Sequence, residues 1–446
     1  MSATGPAATL HRLWAVARLT LLEAVRRRVF VLLLLFGAAI VSSAAFFPAI
    51  DAESRLRLIE VWSVRASLLF SVIVSIFLAG FSLPGDFETR RVYTLVTKPL
   101  HRTTLFAGKF VGFFLLLAIF LGVMAVISIV YIRIVAVAST DFPPLKAEPR
   151  WFAQGLESLG KVVTFKSQRG ERIGVRAGAE GAEGALVWKF SGLDREAFAD
   201  PMKIKLRCNL GRRGQQFAIE GRIQVRLMTP QTGASADAIR EIHTNQETEF
   251  AFDRALVGLD GRLDVVVAPA EPDLSVDADA QSVVLYGASW SFEVNYLRGM
   301  LLVLFQSAVV MGLTLAGSTF LTAPVSIVLG VFLYIIGMMW GNIAEGVRDI
   351  DVQMEHFRQM LAQGKPQQAY TPEDLPPWIL EVSTAISKVT LKAVPDFSQY
   401  NFSDYLLADH AVMGRDLADG FLNMLTRVVV LLAFGLVAMM FRELAA

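Results

Sequence analysis

LPGDFETRRVYTLVTKPLHRTTLFAGKFVG, residues 83–112, is a charged passage set between two long apolar runs, and its reading decides the fold. It carries Arg90, Arg91, Lys98, Arg102 and Lys109 against Asp86 and Glu88. Short loops between membrane spans that carry excess Lys and Arg stay in the cytoplasm, so this one is expected on the cytoplasmic face. It is too charged to enter lipid and too short to form a domain. It therefore predicts one or two short helices lying across the membrane face, where a partner can grip them.

The flanks agree with that orientation. Upstream, Leu10, Leu13, Trp14, Ala17, Leu21 and Ala24 stand at helical spacing with Arg12, Arg18 and Arg26 mostly elsewhere around the helix, the pattern of an amphipathic helix in the interface. The apolar run at 29–48 follows three arginines and is longer than the core of a signal peptide. It is long enough to span about 30 Å of hydrocarbon at about 1.5 Å per residue. A second run at 66–83 returns the chain to the cytoplasm and a third, at 110–132, carries it out again. The two basic flanks, at 26–28 and 83–112, are thus an even number of spans apart and share one side.

Composition sets the same frame. Of 446 residues 54% are hydrophobic, and the mean hydropathy of +0.49 exceeds the usual globular balance. A net charge of +1 gives no reason to expect nucleic acid as a partner. A single cysteine, Cys208, excludes an intramolecular disulfide and a multi-cysteine metal site.

Between 141 and 295 the period changes to two. Met202 to Cys208, Ile223 to Leu227, Leu263 to Val267 and Val283 to Tyr286 read as strands, separated by turns at 211–214 and 268–272. An extracytoplasmic β-sandwich-like domain is expected there, with a low-complexity loop at 176–185. Charge then vanishes from 299 to 344, which predicts two spans, 299–317 and 324–341, hinged at 318–324. Gly337 and Gly341 offer a close-packing spacing. Ile343 to Leu361 and a second segment opened by Thr371 to Asp374 and Pro377 predict helices outside the membrane, within a helical segment at 345–415. A last run, 420–441, ends at Arg442 on the cytoplasmic side, with Arg427 near the outer end. The expected fold is an α-helical polytopic membrane protein with six transmembrane helices. Its parts are residues 1–140 (interfacial helix, spans one to three and the charged loop), 141–295 (the β domain) and 296–446 (spans four to six).

Catalytic signatures are absent from the sequence. Gly155 to Lys161 matches the opening of a phosphate-binding Gly-x-x-x-x-Gly-Lys, but Val162 replaces the hydroxyl residue that reaches the metal. The five histidines are scattered, with no zinc-binding spacing. The six expected membrane cores hold no Asp, Glu, His or Lys, where an ion-driven carrier would need one. Energy for any transport is therefore expected from outside the bilayer.

In order and near spacing, Glu88, Leu95, Pro99, Arg102, Gly108 and Lys109 resemble the loop between the second and third spans of the ABC-2 class of ATP-binding-cassette transporter permeases; Arg90 and Arg91 stand where that family has Gly-Thr. The resemblance covers these thirty residues and, more weakly, the spans at both ends. It implies a permease subunit, more often of an exporter, without an active site or cofactor of its own. A separate ABC ATPase subunit would bind ATP and Mg, and a second permease subunit, identical or related, would share the substrate path. Glu88, Arg90 and Arg91 would contact the ATPase, Pro99 and Arg102 would hold the bend into the third span, and Lys98 and Lys109 complete the coupling loop. The setting implied is a bacterial cytoplasmic (inner) membrane with both termini cytoplasmic, and residues 141–295 could meet an envelope partner. The alternative is a membrane-anchored binding or scaffold protein that acts through its β domain.

Overall fold

The computed structural model describes residues 6–26, 28–43, 46, 52–88, 102–138, 146–159, 162–167, 170–176, 184–212, 215–344, 382, 385, 395–397, 400–407 and 411–444. The chain divides into two compact units. One comprises Met1–Pro144, Glu293–Ala408 and Val412–Ala446, the other Leu145–Phe292 and Asp409–Ala411.

The first unit is helical. Its elements are α1 (Pro6–Arg26), α2 (Arg28–Ser43), α3 (Ala52–Glu88), α4 (Arg102–Ala138), α5 (Phe292–Gly317), α6 (Ala323–Met338), α7 (Phe402–Leu407) and α8 (Gly414–Leu444). Among the described residues four stretches are long and apolar enough to cross a membrane: Arg55–Ser82, Thr103–Val137, Phe292–Gly317 and Gly414–Ala438. The chain is thus a helical membrane protein carrying a β unit. Two further apolar helices are shorter, at Leu34–Ser43 and Ala323–Met338. The charge-free stretch breaks where the sequence places a hinge: α5 ends in a turn closed by Leu321 N–H on the Gly317 carbonyl (3.0 Å), and Pro324 sits in the first turn of α6, where its missing N–H costs nothing.

α3 begins earlier than expected. The sequence reading opens the second span at 66 because Arg55, Arg57, Glu60 and Arg65 lower the hydropathy upstream, yet the helix runs unbroken from Ala52. At 37 residues and about 1.5 Å per residue it is roughly 55 Å long, well beyond the hydrocarbon thickness. One side of it is a column of serines, Ser63, Ser67, Ser71 and Ser75, all buried. Spacing of four keeps them on one face, where their small volume admits close packing. The Ser71 and Ser307 hydroxyls bond across to α5 at 2.7 Å. Glu60 is buried on the same helix, so the expected absence of acidic groups holds for residues 66–83 but not for the whole apolar stretch of α3.

Three aromatic side chains close one end of the helical unit. The Phe402 ring occupies the space beside Gly299 of α5 that any Cβ would need, and Phe397 does the same at Gly337 of α6. The Tyr400 hydroxyl donates to the Gly420 carbonyl of α8 at 3.4 Å. At Gly337 the sequence suggested helix against helix. The neighbour is instead an aromatic ring, and among the described residues Gly341 has nothing within 4 Å. Of the helices expected between 343 and 389 only residues 343, 344, 382 and 385 are described, and these are helical; the rest of both lies outside the described residues.

The second unit is built from three antiparallel sheets around one core. Their strand orders are β11 (Ser235–His243), β10 (Glu220–Met228), β13 (Leu263–Pro269), β6 (Ala185–Phe190), β3 (Gly155–Leu159); then β12 (Thr248–Phe252), β7 (Met202–Leu206), β15 (Val283–Tyr286), β2 (Arg150–Phe152); then β4 (Val162–Ser167), β5 (Gly170–Arg176), β14 (Leu274–Ala278), β8 (Asn209–Arg212), β9 (Gln215–Ala218). The four strands read from period-two alternation are β7, β10, β13 and β15. Their inward residues Ile204, Val225, Val265 and Leu285 are buried in the shared core with Trp188, Leu210, Phe250 and Val276. Gly155 opens β3, paired with β6, and so does not start a phosphate-binding loop. Two short strands, β1 (Lys146–Ala147) and β16 (Trp290–Ser291), pair with each other where the chain enters and leaves the unit.

Because this core is complete within residues 145–292, the excised segment is expected to fold by itself. Its thiol provides the assay. Burial, and secondly the Asp277 charge, pushes Cys208 up to about 12, so at neutral pH it is a neutral, shielded thiol, and the thiolate is the reactive form. Alkylation should be slow in buffer and rise at least about tenfold across a cooperative denaturant transition; prompt, denaturant-independent labelling would show that the segment lacks a core of its own.

Candidate functional site

The charged passage is less of a surface loop than the sequence suggests. Helix α3 continues through Glu88 and α4 starts at Arg102, so most of residues 83–112 forms the ends of two helices. The expectation of short helices lying across the membrane face is corrected for those ends. Arg90, Arg91, Lys98 and Pro99 fall outside the described residues. Glu88 and Arg102 are placed as the terminal residues of α3 and α4. Lys109 alone of the seven candidates has a described side chain, and it points inward.

Lys109 is 8% exposed. Its Nζ donates to the Ser82 Oγ at 2.9 Å and to the Ser82 carbonyl at 3.2 Å. A buried ammonium is costly unless hydrogen bonds replace its hydration, and the charge-assisted kind is among the stronger of these. Lys109 therefore ties α4 to α3 beneath the charged passage. Its ammonium is directed at α3.

The helix it grips is weakened at that level. Pro84 lies inside α3; lacking an N–H, it leaves the Gly80 carbonyl without its helical donor. Ser326 Oγ of α6 lies 3.5 Å from that carbonyl, and its shorter bond goes to the Ala323 carbonyl at 3.0 Å. α6 comes so close here that a Cβ on Gly80 would meet Ile327 Cγ1 at 2.5 Å.

α1 packs along the start of α4. A Cβ on Gly108 would stand 2.7 Å from Val16 Cβ, and one on Gly112 would stand 2.6 Å from the Ala17 carbonyl. Ala17 is fully buried. Glycines four apart expose a strip of bare backbone on α4, and α1 lies on it. Leu10, Trp14, Leu22 and Val25 remain exposed. The amphipathic reading of α1 foresaw an apolar face but not that Ala17 is spent on a neighbouring helix. The Gly108-x-x-x-Gly112 spacing was the available signal for this contact, whereas nothing in the sequence singles out Ser82 as the partner of Lys109. Swapping Gly112 for leucine should expel α1 and cost about 1–3 kcal/mol or more, read as a lower thermal midpoint and faster proteolysis after Arg12 and Arg18; an unaltered cleavage pattern would contradict the contact.

Among the described residues no group of three or more His, Cys, Asp or Glu side chains could hold a metal ion. No family model matches the chain, and no curated protein matches it. A solved structure described as TmCBM61 in complex with beta-1,4-galactotriose is similar over 31% of this chain and 88% of that chain, at 11% identity and a TM-score of 0.18, a likeness too slight to carry an assignment.

Proposed function

We propose that this chain is the membrane-spanning subunit of an ATP-binding-cassette transporter of the ABC-2 class, an exporter whose substrate path is shared with a second permease subunit. In this reading α2, α3, α4, α5, α6 and α8 make six crossings of a bacterial cytoplasmic membrane. Both termini and the α3–α4 connection are cytoplasmic, and the β unit is outside. α2 and α6, at 16 residues each, reach about 24 Å and would cross with the help of flanking residues or a thinner bilayer. ATP and Mg would bind to a separate ATPase subunit that grips the α3–α4 connection.

The observation that carries this reading is the construction of that connection. Two 37-residue helices, bonded to each other through Lys109 and Ser82, meet at a passage containing Arg90, Arg91 and Lys98. A topology signal alone needs the positive charge; it does not need a buried bond beneath it.

Affinity capture of the tagged chain in mild detergent, followed by mass spectrometry, tests the proposal. An ATPase with a complete Gly-x-x-x-x-Gly-Lys-Ser/Thr motif should co-purify with the intact chain. Recovery of an intact chain with envelope proteins and no ATPase would favour the anchored β-domain reading instead.

A further inference from the structure

Resting on that reading, we infer that Lys109 is a positioning residue of the coupling connection: by holding Ser82, it makes the ends of α3 and α4 move as one lever when the connection is pushed. Three observations meet at this point. Pro84 removes a backbone bond from α3 at the start of the charged passage, and proline is a common site of helix bending. Without a brace, force applied beyond Pro84 would bend α3 instead of moving it. The brace is present: the Lys109 ammonium contacts both the hydroxyl and the carbonyl of Ser82, two residues before the proline. On the other side, Lys109 is itself fixed, since it lies between Gly108 and Gly112, the two positions on which α1 is seated.

The chemistry favours a role beyond filling space. A methylene chain could pack there without the desolvation penalty of an ammonium. A cation that donates to a carbonyl beside a proline supplies directional bonding where the helix has lost some of its own. Displacement of the passage is thereby transmitted to α3 and α4 together, and α1 follows α4.

The test uses the full chain with its co-purifying ATPase, reconstituted in liposomes. Spin labels are attached at Leu69→Cys on α3 and Val126→Cys on α4, both exposed in the native chain, while the native Cys208 is buried. In the parent complex the label distance should change when ATP and vanadate are added. In Lys109→Met the ATPase should still bind in the same amount, but the nucleotide-dependent change should fall about tenfold in population, the scale of one lost charged hydrogen bond. Lys109→Arg, and the exchange Ser82→Lys with Lys109→Ser, should restore it, which a purely structural loss would not predict. An undiminished change in Lys109→Met, or no change in the parent complex, overturns the lever. Failure of any ATPase to co-purify with the parent chain removes the transporter reading and the lever with it.

Discussion

Replacing Arg90 and Arg91 together by glutamate is expected to release the proposed ATPase subunit from the chain, raising its dissociation constant at least about 100-fold, because placing like charges together costs several kcal/mol and each 1.4 kcal/mol is tenfold. Glu88→Lys should weaken docking in the same direction. Insertion should survive, since Lys98, Arg102 and the arginines at 26–28 still mark the cytoplasmic side. Capture of tagged variants at matched expression, with quantitation of the bound ATPase, decides the matter. If the double variant retains its ATPase at unchanged affinity, the charged passage does not form the docking surface. The contrast with Lys109→Met is informative: the arginines should control how much ATPase binds, and the buried lysine what the bound ATPase does to the helices.

The second large effect concerns the aromatic closure of the helical unit. Gly299→Leu should destabilise the detergent-solubilised chain by about 3 kcal/mol, at the upper end of the usual overpacking range, because the Phe402 ring already occupies the place of the new Cβ. Phe402→Ala alone should cost a comparable amount, about 3–5 kcal/mol, through the cavity it leaves. Together the two changes should cost less than their sum, since the leucine can enter the vacated space. This non-additivity is the signature of residues in contact. Thermal unfolding of the four proteins yields the cycle, and strict additivity would place the ring elsewhere.

The parts of this fold that could be read in the sequence are those where one periodicity dominates. β10 alternates buried residues with exposed or half-buried ones along its whole length, and the charge-free run from 299 to 344 divides at the turn ahead of Pro324. Legibility fails where a residue serves two purposes. β11 runs along a sheet edge with most of its side chains exposed, so no alternation announced it. The N-terminal part of α3 carries Arg55, Arg57, Glu60 and Arg65, and a hydropathy reading stops at them although the backbone does not. In the charged passage, charge marks the stretch but is silent about which way a side chain points. Nothing in one dimension tells that Lys109 turns inward; its bond to a serine 27 residues earlier does. The two glycine spacings teach the converse lesson. Gly337 and Gly341 fit the motif without forming a seam among the described residues, whereas Gly108 and Gly112, hidden among lysine and phenylalanine, form one.

The pairing of Lys146–Ala147 with Trp290–Ser291 has an evolutionary corollary. Antiparallel partners stand only about 5 Å apart, so the strand-rich segment begins and ends with its two chain ends side by side. Removing the segment between them would leave two strand ends that a short turn can join, and the shortened loop would be cheaper to close than the original by a logarithmic, and thus modest, amount. Lineages could acquire, exchange or discard such an insert without redesigning the helices on either side.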